Sequence, residues 1–367
     1  MTSDNHPVVS VIVPARNEEA CLALCLESLV SQTGVAFELI VVDDTSTDRT
    51  AEIARSFANV ILISAPPLPD NWTGKNNAMS AGAKTAHTNA KWLLFTDADT
   101  VHKPGSLARA VAEAAQQGAA LLSYSPEQEV HGFWEKAVMP VIFAELAATY
   151  PPKKVNDPAS PIAAANGQYL MISREAYDAV GGHTKIANDL LEDVAMARLV
   201  KSSGRKIFFR YGGEAVRTRM YRSWSQMKEG WTKNLALLFP KATELARRRF
   251  GEFLLPLFAL CSIIEGIFLR QSPIPWIPRM WQRGYMLVIG SCVLVWVVAG
   301  FVRRMRKAHF FWSNIVRSYL GLPIFAYLLL RSERSVKKSR LRWKDRTYIY
   351  TAEEVEALKK QRAARTT

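Results

Sequence analysis

Over the first 125 residues, short strand-forming apolar runs alternate with segments of helical pattern, and few folds accommodate that alternation. The runs Val8–Val13, Phe37–Val42, Val60–Ile63, Trp92–Phe95 and Ala120–Tyr124 read as buried strands. Between them, Glu19–Ser31, Thr47–Phe57, Lys75–Thr85 and Ser106–Gln116 read as helices. Strands separated by helices pair in parallel, so the sequence predicts an α/β fold: a mostly parallel sheet with helices on both faces. Ligands of such sheets sit beyond the carboxyl ends of the strands, which directs attention to the polar residues just after each strand.

Two acidic turns occupy that edge. Asp43-Asp44-Thr45-Ser46-Thr47-Asp48 follows the second strand, and Thr96-Asp97-Ala98-Asp99 follows the fourth. Taken singly, either turn is equally well explained by helix capping alone, as by Asp48 or Ser46 at the helix that follows the first. Taken together on one edge they point further. Two carboxylates on a tight turn reach one hard divalent cation, Mg²⁺ or Mn²⁺, which leaves positions open for substrate phosphates.

The composition changes near residue 250, where three long apolar stretches begin. Phe253–Leu269 is at the short limit for a membrane span and contains Pro256 and Glu265; Tyr285–Val302 is uncharged and the strongest candidate. Phe310–Leu330 is long enough, but it contains Arg317 and a Gly321-Leu322-Pro323 break, and charge inside a span is costly. The basic clusters at Arg247–Arg249, Arg303–Lys307 and Arg331–Arg346 all favour the cytoplasmic side, so an even number of crossings is expected. These clusters account for much of the net charge of +14 through anionic lipid rather than nucleic acid. The polar start Met1–Pro7 and the short run after it lack the core of a secretion signal, which places the N-terminal part in the cytoplasm. Three regions follow from this: 1–250, a membrane-helix region 251–332, and a basic tail 333–367 in which Ala352–Ala364 reads as a short charged helix.

Four cysteines without a C-x-x-C pair argue against a zinc or redox site and read as buried free thiols. Neither a P-loop nor a G-x-S-x-G elbow is present.

The block Val11-Ile12-Val13-Pro14-Ala15-Arg16-Asn17-Glu18-Glu19, then Asp43-Asp44-x-Ser46-x-Asp48-x-Thr50, then Asp97-Ala98-Asp99, resembles the family 2 glycosyltransferases in order and spacing. The resemblance extends through Leu191-Glu192-Asp193, Arg219-x-x-Arg222 and Glu229-Gly230-Trp231, covering roughly residues 8 to 240. With apolar helices behind it and Trp343-Lys344-Asp345-Arg346-Thr347-Tyr348 near the end, the chain is similar to membrane-bound carotenoid- and hopanoid-associated members.

The resemblance implies a GT-A-like nucleotide-sugar fold and an inverting transfer of one sugar to a membrane lipid at the cytoplasmic membrane. It implies a donor site formed by Pro14, Ala15, Asn17, Glu18, Asp43, Asp44, Lys75 and Asp97, with Asp99 and Asp97 on a divalent metal. Asp193, beside Glu192 at a helix start, becomes the general base, and Arg222 and Trp231 close over diphosphate and acceptor. Lys75 reads equally as a solvated helix-start lysine, and the Arg222–Trp231 segment as a basic amphipathic helix lying on the membrane. His183, after two glycines, reads first as a loop residue. Polymer-making members carry Q/R-x-x-R-W; here Ser223 separates Arg222 from Trp224, which speaks against processive synthesis. A non-catalytic binding module of the same fold is the other alternative.

Overall fold

The computed structural model describes residues 6–268, 278–338, 340–343 and 346–349. The motif residues Lys344 and Asp345 and the Ala352–Ala364 segment lie outside these. The elements in chain order are β1 (Val9–Ala15), α1 (Leu22–Val30), β2 (Phe37–Asp43), α2 (Thr50–Arg55), β3 (Val60–Ser64), α3 (Gly74–Thr85), β4 (Trp92–Phe95), β5 (Thr100–His102), α4 (Ser106–Gln117), β6 (Leu121–Ser125), β7 (Glu127–Gln128) and α5 (Phe133–Thr149). They continue with α6 (Pro152–Val155), β8 (Leu170–Ser173), α7 (Arg174–Ala179), α8 (Glu192–Ser202), β9 (Ile207–Tyr211), β10 (Val216–Thr218), α9 (Trp224–Leu238), α10 (Ala242–Phe268), α11 (Arg279–Met305), α12 (Trp312–Lys337), β11 (Arg340–Trp343) and β12 (Arg346–Ile349).

Among the described residues, those up to 129 with 150–220 fold as one compact unit, and 130–149 with those from 221 onward as another. The composition break near residue 250 falls inside α10 of the second unit.

The first unit is built on a seven-stranded sheet of order β3-β2-β1-β4-β8-β6-β9. β1 pairs in parallel with β2 and β4, as β2 does with β3 and β6 with β9. β8 runs antiparallel to both its neighbours. The strand alternation sorts the core into two layers. Val9, Val11 and Val13 pack with Leu22, Leu26 and Leu29 of α1 and Leu107 and Ala110 of α4, all essentially inaccessible. Ile12 faces the other way, onto α3. Strands predicted from their apolar runs are found within two residues of the expected bounds.

The second unit holds three helices long and apolar enough to cross a membrane: α10, α11 and α12. The Gly321-Leu322-Pro323 sequence does not break α12, which continues from Trp312 to Lys337. Pro323 forfeits one backbone hydrogen bond, and burial of Leu322, Phe325, Leu328 and Leu329 on either side holds the helix together. Gly321 lies directly on the backbone of Ala137 in α5, a close approach that any Cβ would prevent. α5 itself is almost wholly apolar, with Ala137 to Ile142 buried despite Pro140 within it.

A charged knot joins the near ends of three of these helices. Arg249 of α10 meets Glu145 of α5 at 2.8 Å and Glu252 at 2.7 Å, and Arg304 of α11 reaches Glu252 at 2.5 Å and Glu145 at 3.3 Å. The Glu145 side chain is only 3% exposed and lies against both arginines. Removing one member of such a buried set costs about 3–5 kcal/mol. All four cysteines are free. Cys25 is buried in the core, and burial pushes its thiol up to about 12. Cys261 and Cys292, expected to be buried, are exposed instead, because α10 and α11 turn most of their apolar surface outward.

Candidate active site

Two loops at the ends of β1 and β2 are sewn together by side chains. Asn17, in the left-handed region at φ 52°, accepts the Thr47 amide at 2.8 Å through Oδ1. The Glu18 amide donates to Thr50 Oγ1 at 2.8 Å, and the Glu19 amide to Asp48 Oδ2 at 3.1 Å. Asp43 Oδ1 accepts the Ser46 amide at 3.2 Å, closing the turn. Asp48 also accepts the Thr50 amide at 3.0 Å. Burial alone would raise its carboxyl, but the Thr50 and Glu19 hydrogen bonds hold it below the usual range. Asp48 is thus a structural tie between the two loops; the N-cap position of α2 falls on Arg49, without a side-chain cap. Ala15 is buried and contributes its carbonyl, which accepts the Asp44 amide at 2.8 Å. Pro14 lies just before it, paired with Val42.

The Asp97–Asp99 turn is fixed from behind by a buried hydroxyl network. Thr100 Oγ1 donates to the Asp97 carbonyl at 2.7 Å, and Thr218 Oγ1 to the Asp99 carbonyl at 3.1 Å. Thr96 Oγ1 donates to the Gln168 carbonyl at 2.8 Å and stands 3.0 Å from His102 Nε2. Burial pushes His102 down to about 3, so it is neutral. Strands β2 and β4 flank β1 and run parallel to it, so Asp43 and the Asp97 turn leave the same end of the sheet.

Of the two readings of Lys75, the structure sets aside the solvated one. The residue stands at the start of α3. Its ammonium lies 2.7 Å from Asp97 Oδ1 and 2.6 Å from Glu192 Oε1. Burial alone would lower its pKa; the two carboxylates hold it well above the ordinary lysine range. This meeting depends on Asn76, whose side-chain amide donates to the carbonyls of Ile186, Ala187 and Asp189 at 2.7–3.0 Å. Asn76 thereby ties the start of α3 to the loop that leads into α8.

Asp193 sits beside Glu192 in the first turn of α8. Its Oδ2 accepts the Gly167 amide at 2.9 Å and its Oδ1 the Val194 amide at 2.7 Å. Burial, and then the Glu192 charge, push its carboxyl up to about 6, with Lys75 opposing. Gly167 leaves room for this cluster: a Cβ there would stand 3.2 Å from both Glu192 Oε1 and Lys75 Nζ. Lys75, Asp97, Glu192, Asp193 and Gly167 therefore form one connected group. Asp99 follows on the same turn, while Asp43 and Asp44 lie two strands along the edge.

Other expected residues have different surroundings. His183 is buried against Tyr177, with Nδ1 2.9 Å from its hydroxyl, and burial pushes it down to about 3; it is a packing residue. Arg222 and Trp231 belong to the second unit. Arg222 is exposed at the start of α9, and Trp231 is buried against the rings of Phe143 and Tyr221.

Residues 10–181 match the model of glycosyl transferase family 2. The match covers just under half of the chain. It bears out the resemblance read from the motifs, and the mostly parallel sheet agrees with it. The matched stretch contains the β1, β2 and β4 strand ends, Lys75 and Gly167; Glu192 and Asp193 follow it in α8.

A 4,4'-diaponeurosporenoate glycosyltransferase of Staphylococcus aureus is 30% identical over 240 residues, which cover 63% of this chain and 62% of that protein. The chain thus spans less than two thirds of the length of the curated relatives it matches. Among solved structures, a mannosyltransferase from Pyrobaculum calidifontis in complex with GDP-Man and Mn²⁺ aligns over 90% of this chain and 87% of its own, at 16% identity and a TM-score of 0.49.

Proposed function

We propose that this protein is a glycosyltransferase that moves one sugar, with inversion, from a nucleoside-diphosphate sugar to a membrane lipid of isoprenoid type. The observation that carries the reading is the convergence of Lys75, Asp97, Glu192 and Asp193 at the carboxyl edge of a family 2 domain. The loops 14–18 and 43–44, held together as described, receive the nucleotide.

Asp97 and Asp99 fit a hard divalent ion, Mg²⁺ or Mn²⁺. Their donors are carboxylate oxygens on one tight turn, and Asp97 Oδ1 already faces a cation, the Lys75 ammonium. Such an ion supplies charge stabilisation to a departing diphosphate. Lys75 adds a fixed positive charge at the same point. Asp193 takes the proton from the acceptor oxygen, and the amides of Gly167 and Val194 aim its two oxygens. A base whose carboxyl is raised toward neutrality suits proton removal from a hydroxyl.

The Staphylococcus aureus relative is named for a carboxylate, and a carboxylate acceptor needs no base. That observation favours a second reading, in which Asp193 orients Gly167 and the acceptor rather than moving a proton.

A donor screen on detergent-solubilised protein with a native lipid extract tests the proposal. A product heavier than the lipid by one sugar is expected. A ladder of added sugars, or donor consumption without lipid product, would count against it.

Lys75 provides a finer test. A cation beside a carboxylate stabilises its anion, so removing Lys75 should raise the Asp193 pKa further. In Lys75→Met the acid limb of the kcat/KM profile is expected to move to higher pH. A limb that stays in place or moves down would separate Lys75 from the base.

A further inference from the structure

We propose that only α10 and α11 cross the bilayer, and that α12, though apolar and long enough, lies along the membrane surface with its exposed face on anionic headgroups. This concerns the second unit alone and does not rest on the sugar chemistry.

The charged knot marks where α10 and α11 leave the hydrocarbon, since Arg249, Glu252, Arg304 and Glu145 are costly inside it. The helix α10 enters there and α11 returns there, as antiparallel neighbours: Arg283 near the start of α11 donates to the carbonyl of Gly266 near the end of α10 at 2.9 Å.

α12 starts close to that level. The Arg306 guanidinium stacks on Trp312 at 5.0 Å, and Tyr319 packs on Phe253 and Phe301 at ring distances of 5.2 and 6.0 Å. A third span running back beside α11 would next bring residues 325–332 level with the outer halves of α10 and α11, at 1.5 Å per residue. The contacts go the other way. The ring of Phe325 meets Phe239, which precedes α10, at 6.1 Å. Ser332 Oγ accepts the Ala236 amide of α9 at 2.8 Å, and Arg331 donates to Thr232 Oγ1 at 3.2 Å. So α12 leaves the charged ends of the hairpin sideways, over α9 and α5.

Burial agrees. Half of the apolar window of α12 is buried in protein, against 17% for each of α10 and α11. Val295 and Trp296 in mid-α11 stay 67% and 74% exposed, as lipid-facing residues should. The exposed stripe of α12 is apolar at Trp312, Val316 and Leu320 and basic at Arg331, Arg334 and Lys338, a pattern matched to a headgroup layer. Arg317 on that stripe is no penalty at the surface. Its basic end stays on the same side as Arg247–Arg249 and Arg303–Lys307, in accord with the charge rule.

Nitroxide labels at Val316, Leu320 and Tyr327 on α12, and at Val288 and Val295 on α11, report depth in phosphatidylcholine–phosphatidylglycerol vesicles. The α12 labels are expected at one shallow depth, with Val295 near the bilayer centre. A depth that passes through the centre along α12 would overturn the proposal, as would a shallow Val295. As a second measurement, Arg248→Cys and Lys338→Cys, made where Cys21, Cys261 and Cys292 are serine, should both react with an impermeant maleimide from the same side. Reaction from opposite sides would make α12 a span.

Discussion

Asparagine in place of Asp193 is expected to lower kcat by about 10²–10⁴-fold, the range a positioned general base supplies, with donor affinity nearly unchanged. Asparagine keeps an oxygen for the Gly167 amide, so the loop that Asp193 holds should stay in place and the loss should report chemistry. The wild-type pH profile gives an independent check. Burial and Glu192 push this carboxyl up to about 6. The base acts ionised, so kcat/KM should climb as pH rises through about 6 and then level. A limb near the ordinary aspartate value of about 4 would deny Asp193 that role. Near wild-type turnover in the asparagine variant would instead support the carboxylate-acceptor reading.

Alanine at Asp99 is expected to weaken binding of Mn²⁺ with a nucleoside diphosphate by about 100-fold or more, since even groups behind a metal's direct ligands are worth 10–100-fold. The turn should survive, because Thr218 and Thr100 grip its backbone carbonyls and not the lost carboxylate. Calorimetric titration measures this directly. An unchanged Mn²⁺ isotherm would remove Asp99 from the metal site.

Much of the first unit was legible because its signals are local. Each strand of the β3-β2-β1-β4 half is an apolar run closed by a turn, and the acidic motifs sit immediately after two of them. β8 was not legible: four residues reversed between parallel neighbours leave no periodic mark. α5 was missed because apolar residues around its whole circumference give no helical stripe, and Pro140 argues against a helix. The partners of Lys75 were hidden for another reason. They depend on Asn76 holding carbonyls more than a hundred residues away, and no spacing in the chain encodes that grip. The third apolar stretch was correctly seen as long enough to span, but hydropathy does not say whether lipid or protein covers it.

Helix α5 has a practical consequence for anyone dissecting the chain. It is spelled between two stretches of the first unit's sequence, yet Gly321 of α12 completes its packing. Cutting after residue 250 would therefore not free a water-soluble enzyme from a detachable anchor. It would leave an oily rod without its mate in the middle of the surviving fragment.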